Sequence, residues 1–383
     1  MRNVRLNMHG IYLTDHNMED QTSGVTKKIM TQIKSFEENG MKMELRYKKK
    51  DTKLGLMEYR IRKLSPFVSN SFSVQILHQI NDLELRNVGF IYYRYTYIDK
   101  ALIKAFKQMK KINPRIRILF EIPTFPYDKE FDSWYLKPNL WKDKKHRLKL
   151  KSVVDRIVTF SDDTKIYDVD TIKISNTVDF NKIKKRTPKK GDGTIRVIAV
   201  ALFSFFHGYD RFIEGMRKYY FAGGNRRIIL YFVGEGKILE HYRSLVTQYG
   251  LTDHVIFSGK LFGEELDEVY EKCELGLDSL GRHRSGIFYN SSLKGKEYIA
   301  KGLPVISGVR TEFDELNFKY YHRVPSDDSY VDIAEILGFY DEIYGNNHSK
   351  EAIIDEIRAY AVNNFHTQKT FEPIIKFLQT PMV

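Results

Sequence analysis

Two hydroxyls, an amine and a carboxylate sit close together in the stretch Tyr289 to Ser307, YNSSLKGKEYIAKGLPVIS. Ser291 and Ser292 come first, Leu293 and Lys294 follow, and Glu297 comes after them. The run reads as a polar loop that enters a helix, with Gly302 ending the helix and Pro304 starting a buried strand. A helix start of this kind draws phosphate: its unpaired N–H groups and its dipole face the anion, and Lys294 adds a full charge. Glu297, one turn further on, could accept hydrogen bonds from a ribose. The same residues also suit an ordinary loop, helix and strand with a solvated lysine and glutamate.

Three other loops at strand ends carry residues of the same usefulness: Thr22-Ser23-Gly24, His207-Gly208 and Gly234-Glu235-Gly236. Gly24 and Gly208 allow backbone to come close to a ligand, and each precedes a helix whose N-terminus could meet a phosphate. Each glycine could equally be a tight turn between strand and helix. Gly234 and Gly236 follow a strand but lack the third glycine of a dinucleotide fingerprint. No metal site is expected, because the eleven histidines are scattered and the single cysteine, Cys273, cannot build a thiolate site. The chain has no Gly-x-Ser-x-Gly elbow and no phosphate-binding Gly-x-x-x-x-Gly-Lys-Ser/Thr loop.

The elements that must position these residues alternate along the chain. Val4 to Leu13 reads as a first strand, and a helix opens at Gly24 with Val25, Ile29, Ile33 and Phe36 on one face and Gly40 as its stop. Ile98 to Met109 is helical in pattern. Ile116 to Phe120 is a short apolar strand running into Glu121, at the strand end where open α/β sheets keep their ligands. Arg156 to Phe160 and Ile172 to Ile174 read as short strands. The basic stretch Lys182 to Gly193 reads as a linker. Beyond it the alternation restarts: strands from Ile195, Arg227, Val255 and Leu275 are separated by helices from Tyr209, Ile238 and Glu264. This pattern predicts an α/β chain with two doubly wound, Rossmann-like domains and a ligand cleft between them.

With 383 residues the chain is long enough for two domains, and its 42% hydrophobic and 29% charged content is that of a globular protein. No window is apolar and long enough to span a membrane, and the N-terminal MRNVRLNMHGIYL has no signal-peptide core, so a cytoplasmic location is expected. The lone cysteine fits a reducing compartment. A formal charge of +13 favours anionic partners. Much of it lies in Lys42 to Lys63 and Lys137 to Lys151, the second beside Trp134, Tyr135 and Trp141. Such mixing suits peripheral contact with an anionic membrane surface, although a solvated face is the commoner use of a charge run. No recognised motif supports nucleic-acid binding.

From Val197 to Gly308 the order of motifs resembles the donor domain of glycosyltransferases of the GT-B fold, in particular the retaining family 4. The matching runs are VIAVALFSFFHGYDRFIEGM, LYFVGEGKILEHYRSLVTQYGLTDHVIFSGKLFGEELDEVY and KEYIAKGLPVISG. The first half is similar through SGVTKKIMTQIKSFEENG, EIPTFPYD and IVTFS…ISNTVD. The resemblance implies an acceptor-binding domain over 1–182, with a terminal helix over 366–383 packed back on it, and a donor-binding domain over 183–365. It implies a nucleotide-sugar donor, UDP- or GDP-linked, with no other cofactor and no metal. The acceptor would be a glycan or lipid-linked saccharide, in cell-surface polysaccharide or glycoconjugate biosynthesis.

Carried over by position, Glu297 would hold the nucleotide ribose. Ser258, Gly259 and Lys260 would contact the base, and Gly24 would face the donor phosphates. His207, Gly208, Gly234 and Gly236 would line the donor side, and Glu121 would stand roughly where the family has its acceptor-domain histidine. Glu121 could polarise the acceptor hydroxyl or touch the sugar, or it could serve as a capping carboxylate. The chain departs from the family where Tyr289 replaces an earlier glutamate and where Leu202 and His207 replace the cations that neutralise the diphosphate. Lys294 is the candidate substitute, helped by Ser291, Ser292 and either Arg282 or Arg284. Without such a substitute the chain would be a catalytically silent GT-B-like subunit that binds a partner enzyme or a glycan.

Overall fold

The computed structural model describes residues 8–20, 23–48, 64–131, 134–189, 191–345 and 349–381. The chain divides into two compact units, Met1–Ser175 with Thr367–Val383, and Asn176–His366. The division falls at Ser175, ahead of the basic stretch expected to be the linker. That stretch belongs to the second unit because Arg186 is buried there and donates to the carbonyl oxygens of Cys273 and Gly302.

The first unit is built on β1 (His9–Thr14), β2 (Lys42–Tyr47), β3 (Phe90–Arg94), β4 (Arg117–Ile122), β5 (Arg156–Thr159), β6 (Lys165–Ile166) and β7 (Val169–Lys173). They form one seven-stranded sheet in the order β2-β1-β3-β4-β5-β7-β6, parallel except for the β6–β7 pair. Helices α1 (Gly24–Glu38), α2 (Ser71–His78), α3 (Lys100–Ile112) and α4 (Lys137–His146) connect them. Every residue of β3 and β4 is buried, as expected of central parallel strands covered on both faces. Helix α1 begins where the Ser23 hydroxyl accepts from the Val25 N–H, and the chain turns away at Gly40, whose φ of 81° suits a residue without Cβ. The expected first strand appears as β1 from His9, and the part of that expectation that falls on residues 4–7 lies outside the described residues. Lys42 to Tyr47, read as part of a basic surface block, pairs as β2 beside β1. The rest of that block, 49–63, lies outside the described residues.

The second unit carries β8 (Ile195–Leu202), β9 (Ile228–Glu235), β10 (Val255–Gly259), β11 (Leu275–Leu277), β12 (Val305–Ser307) and β13 (Tyr321–Arg323). These form a six-stranded parallel sheet in the order β10-β9-β8-β11-β12-β13. Its helices are α5 (Asp210–Phe221), α6 (Leu239–Gln248), α7 (Gly263–Lys272), α8 (Leu293–Lys301), α9 (Glu312–Glu315), α10 (Ile333–Tyr344) and α11 (Lys350–Phe365). The strand order reverses direction between β8 and β11, so the carboxyl ends of those two strands border the crevice in which open α/β sheets bind ligands.

Helix α12 (Thr367–Gln379) returns to the first unit. Phe371, Ile374, Ile375 and Leu378 join its core, Phe371 meets Phe36 edge-on at 5.4 Å, and Arg117 donates to the carbonyls of Phe377 and Thr380.

Candidate functional site

The second unit gathers its functional groups at the reversal between β8 and β11. Asp278 directly follows β11 and is 1% exposed. Its Oδ1 accepts from the Ser292 hydroxyl at 2.9 Å and lies 3.4 Å from Lys294 Nζ. Asp278 Oδ2 has no hydrogen-bond partner among the described residues. Lys294 stands in the first turn of α8 and donates to the Tyr209 hydroxyl at 3.2 Å and the Ser279 hydroxyl at 3.1 Å. Burial pushes its amine down to about 8, against the pull of Asp278. The helix that carries it ends at the glycine its sequence predicts, and it starts on a serine that the sequence had offered as a phosphate ligand. Ser292 caps it by accepting from the Gly295 N–H, and Gly302 ends it with a φ of 83°. Glu297, one turn beyond Lys294, is exposed.

The loop after β8 closes the other side. His207 is buried, its Nδ1 accepts from the Ser204 N–H at 2.9 Å, and its ring stacks on Tyr209. Burial, reinforced by Lys294 and Arg282, drives its pKa far below the ordinary histidine value, so the imidazole is neutral with its proton on Nε2. It is therefore a neutral donor where a cation was sought. Arg282, partly exposed, lies over the Phe206 ring at 4.4 Å. Arg284 instead forks onto Asp210 at 2.7 and 2.9 Å and reaches Asp328 at 2.7 Å. Of the two alternatives for a second cation, Arg282 is thus the one grouped with Lys294.

Several expected ligand contacts are taken up by the fold. The Ser291 hydroxyl accepts from the Asn176 N–H at 2.7 Å and is buried, and the Ser292 hydroxyl is committed to capping α8 and to Asp278, so neither faces a phosphate. Gly208 was expected to admit a ligand, but a Cβ there would stand 2.5 Å from the Gly281 nitrogen. Gly234 and Gly236 likewise make room for protein, since a Cβ at either would stand 1.9 Å from the Ala201 carbonyl oxygen or 2.2 Å from that of Phe203. Leu293 opens α8 half-buried. Ser258 and Gly259 end β10, where the Gly259 φ of 69° faces open space, and Lys260 beside them pairs with Glu235 at 3.5 Å. Tyr289 is buried against the Arg310 guanidinium at 5.3 Å, and Leu202 is 74% exposed at the end of β8.

In the first unit, strand register sets Arg94 of β3 directly beside Glu121 of β4. Glu121 is fully buried. Its Oε1 takes Arg94 and has Lys28 at 3.8 Å, and its Oε2 accepts from Tyr92 at 2.6 Å and Gln32 at 2.7 Å. Burial pushes the carboxyl up, but these cations and donors outweigh it and hold Glu121 below the ordinary glutamate range. With both oxygens occupied and no exposed surface, it holds Arg94 and Lys28 in place, which corrects the expectation that it meets an acceptor hydroxyl. At Gly24, by contrast, nothing lies within 4 Å of where a Cβ would stand. A cavity of about 290 Å³ opens beyond β3 and β4, lined by Tyr95, Tyr97, Thr124, Tyr127, Phe131 and Leu136 among others.

The sequence did not single out Asp278, Arg94 or Lys28. The one available signal was an aspartate immediately after a short apolar strand, at Asp278.

No protein-family model and no curated protein sequence matches the chain. Solved structures do match it in fold. A glycosyltransferase from Rickettsia africae ESF-5 superposes with a TM-score of 0.62 at 14% identity, over 97% of this chain and 98% of that one. Alr3699/HepE of Anabaena, solved in complex with UDP, gives 0.60 at 12% identity over 97% and 99%. The lipopolysaccharide outer core galactosyltransferase WaaB gives 0.58 at 12% identity over 96% and 98%. The two parallel-sheet α/β units are therefore those of the GT-B fold.

Proposed function

We propose that the chain is a glycosyltransferase that takes a sugar from a UDP- or GDP-linked donor and passes it to a glycan or lipid-linked saccharide. The observation that carries this reading is Lys294, held by Tyr209, Ser279 and Asp278 at the reversal of the second sheet with Arg282 grouped beside it. In this reading Lys294 and Arg282 receive the charge that grows on the departing diphosphate, a contribution that dry, fixed groups make efficiently. The His207 Nε2–H adds a neutral donor, and Glu297 accepts from the ribose hydroxyls. Ser258, Gly259 and Lys260 border the base, and Gly24 leaves room for the donor phosphates. Glu121 acts as a positioning residue for Arg94 and Lys28. The transfer retains the anomeric configuration and uses no metal, with Lys294 in the place of a divalent cation. Cell-surface polysaccharide or glycoconjugate biosynthesis is the setting that such an acceptor suggests.

The exposed Leu202, where related enzymes keep a cation, favours a second reading as a non-catalytic GT-B-like subunit. One experiment separates the two. Thermal shift with UDP, GDP, ADP and TDP, followed by release of the free diphosphate from the matching sugar nucleotide, should show stabilisation by one base and turnover of its sugar. Binding without release supports the subunit reading, and no stabilisation by any diphosphate defeats the enzyme.

A further inference from the structure

Helix α4 turns the usual arrangement inside out. The residues it buries are Asn139, Lys142, Asp143 and His146. Asp143 accepts from Tyr127 at 2.8 Å, Tyr95 at 3.0 Å and the Ile98 N–H at 3.2 Å, and Lys142 donates to the Val68 carbonyl at 3.0 Å. Its outer face carries Lys137, Trp141, Lys144 and Lys145, and Leu148 follows on the next turn, 64% exposed. Trp134, just ahead of the helix, is 78% exposed, and Phe67, 84% exposed, meets Trp141 edge-on at 5.8 Å. Polar groups are thus satisfied inside while aromatic rings face outward, and an exposed apolar cluster of this kind marks a surface that something covers.

The charges around the rings indicate what covers them. Lys144 pairs with Asp128 at 3.2 Å and Lys151 with Asp168 at 3.6 Å. Lys137, Lys145 and Lys149 have no acidic partner among the described residues, and the Lys145 amine lies over the Trp141 ring at 4.8 Å. Tryptophan settles at the depth of lipid headgroups, and lysines beside it keep their amines among anionic phosphates.

We propose that this face, formed by Phe67, Trp134, Trp141 and Leu148 with Lys137, Lys145 and Lys149, docks the first unit on an anionic lipid bilayer. Leu136, between the two tryptophans, also lines the aromatic cavity beyond β3 and β4, so the docking face adjoins a pocket. The docking needs no nucleotide.

The chain has only two tryptophans, Trp134 and Trp141, so fluorescence excited at the red edge, where indole alone absorbs, reports on this face. Full-length protein is titrated with vesicles of phosphatidylcholine and with vesicles of phosphatidylcholine mixed with phosphatidylglycerol. Emission should shift to the blue and be quenched by brominated lipid with the anionic vesicles only, and added salt should reverse both effects. Changing Lys137, Lys145 and Lys149 to Gln should lower vesicle binding by roughly tenfold or more, and Phe67→Ala should reduce the quenching. Emission that stays the same with both vesicle types overturns the proposal. A shift equally large with duplex DNA or with poly-glutamate, or a shift on raising protein concentration without lipid, assigns the face to another partner and overturns it as well. The wild-type readings decide the matter even if a variant fails to fold.

Discussion

Glu121 and Asp278 each stand at the carboxyl end of a parallel strand, yet their surroundings are opposite. Around Glu121 the first unit places two cations, a phenol and an amide, leaving neither oxygen unused and no surface open. Around Asp278 the second unit meets one oxygen and leaves the other without a partner among the described residues, beside an amine that burial has weakened. A buried ion cluster that is fully paired belongs to the architecture, whereas one with an unpaired oxygen can still accept a hydrogen bond. Residue type alone does not separate the two cases, since both are carboxylates with lysine nearby. The number of lone pairs already occupied does.

The sharpest way to break this contrast is to remove each centre. Glu121→Ala strands Arg94 and Lys28 without a counter-charge and should cost about 3–5 kcal/mol of stability, read as a lowered midpoint in urea. In protein that still folds, it should leave nucleoside diphosphate affinity nearly unchanged. Lys294→Met should do the reverse, weakening diphosphate binding by about a hundredfold through loss of charged hydrogen bonds in isothermal titration. Equal losses in both assays for both variants would erase the distinction.

Acidity gives a finer test. The Lys294 amine is pushed down to about 8 from an ordinary 10.5, so between those values the unfolded chain binds the extra proton. Stability should therefore rise from this group as pH climbs above about 8, while diphosphate affinity should fall by up to about tenfold per pH unit. Lys294→Arg should flatten both slopes. The smallest effect separates the glycines. Gly24→Ala should leave the melting temperature within about 2 °C and lower turnover severalfold, because only open space surrounds that position. Gly234→Ala should unfold the loop beside β8, since its Cβ would strike the Ala201 carbonyl.

Much of the architecture was legible in the sequence because the alternation of apolar runs and amphipathic helices is a local property. The stop of α8 at Gly302 is an example, carrying its signal in its own residue type. The pairing of Arg94 with Glu121 was not legible, because it depends on the register of β3 against β4 and joins residues far apart in the chain. Strand β3 itself, FIYYR, has no polar alternation to mark it. The hydroxyls of Ser291 and Ser292 were misread for a related reason: a capping oxygen and a phosphate-binding oxygen look alike until their partners are known. Helix α4 was not legible as a helix, because the face it turns inward is polar and leaves no apolar period in the sequence.

Helix α12 has a bearing on how the molecule comes into being. The strands of the first unit leave the ribosome before Asn176–His366, but Phe371, Ile374 and Leu378, which complete their core, emerge after it. Meanwhile the whole of Asn176–His366 can be synthesised and folded. The first unit must wait with one flank uncovered until Asn176–His366 has been made, so its completion depends on residues that follow the whole of the second unit.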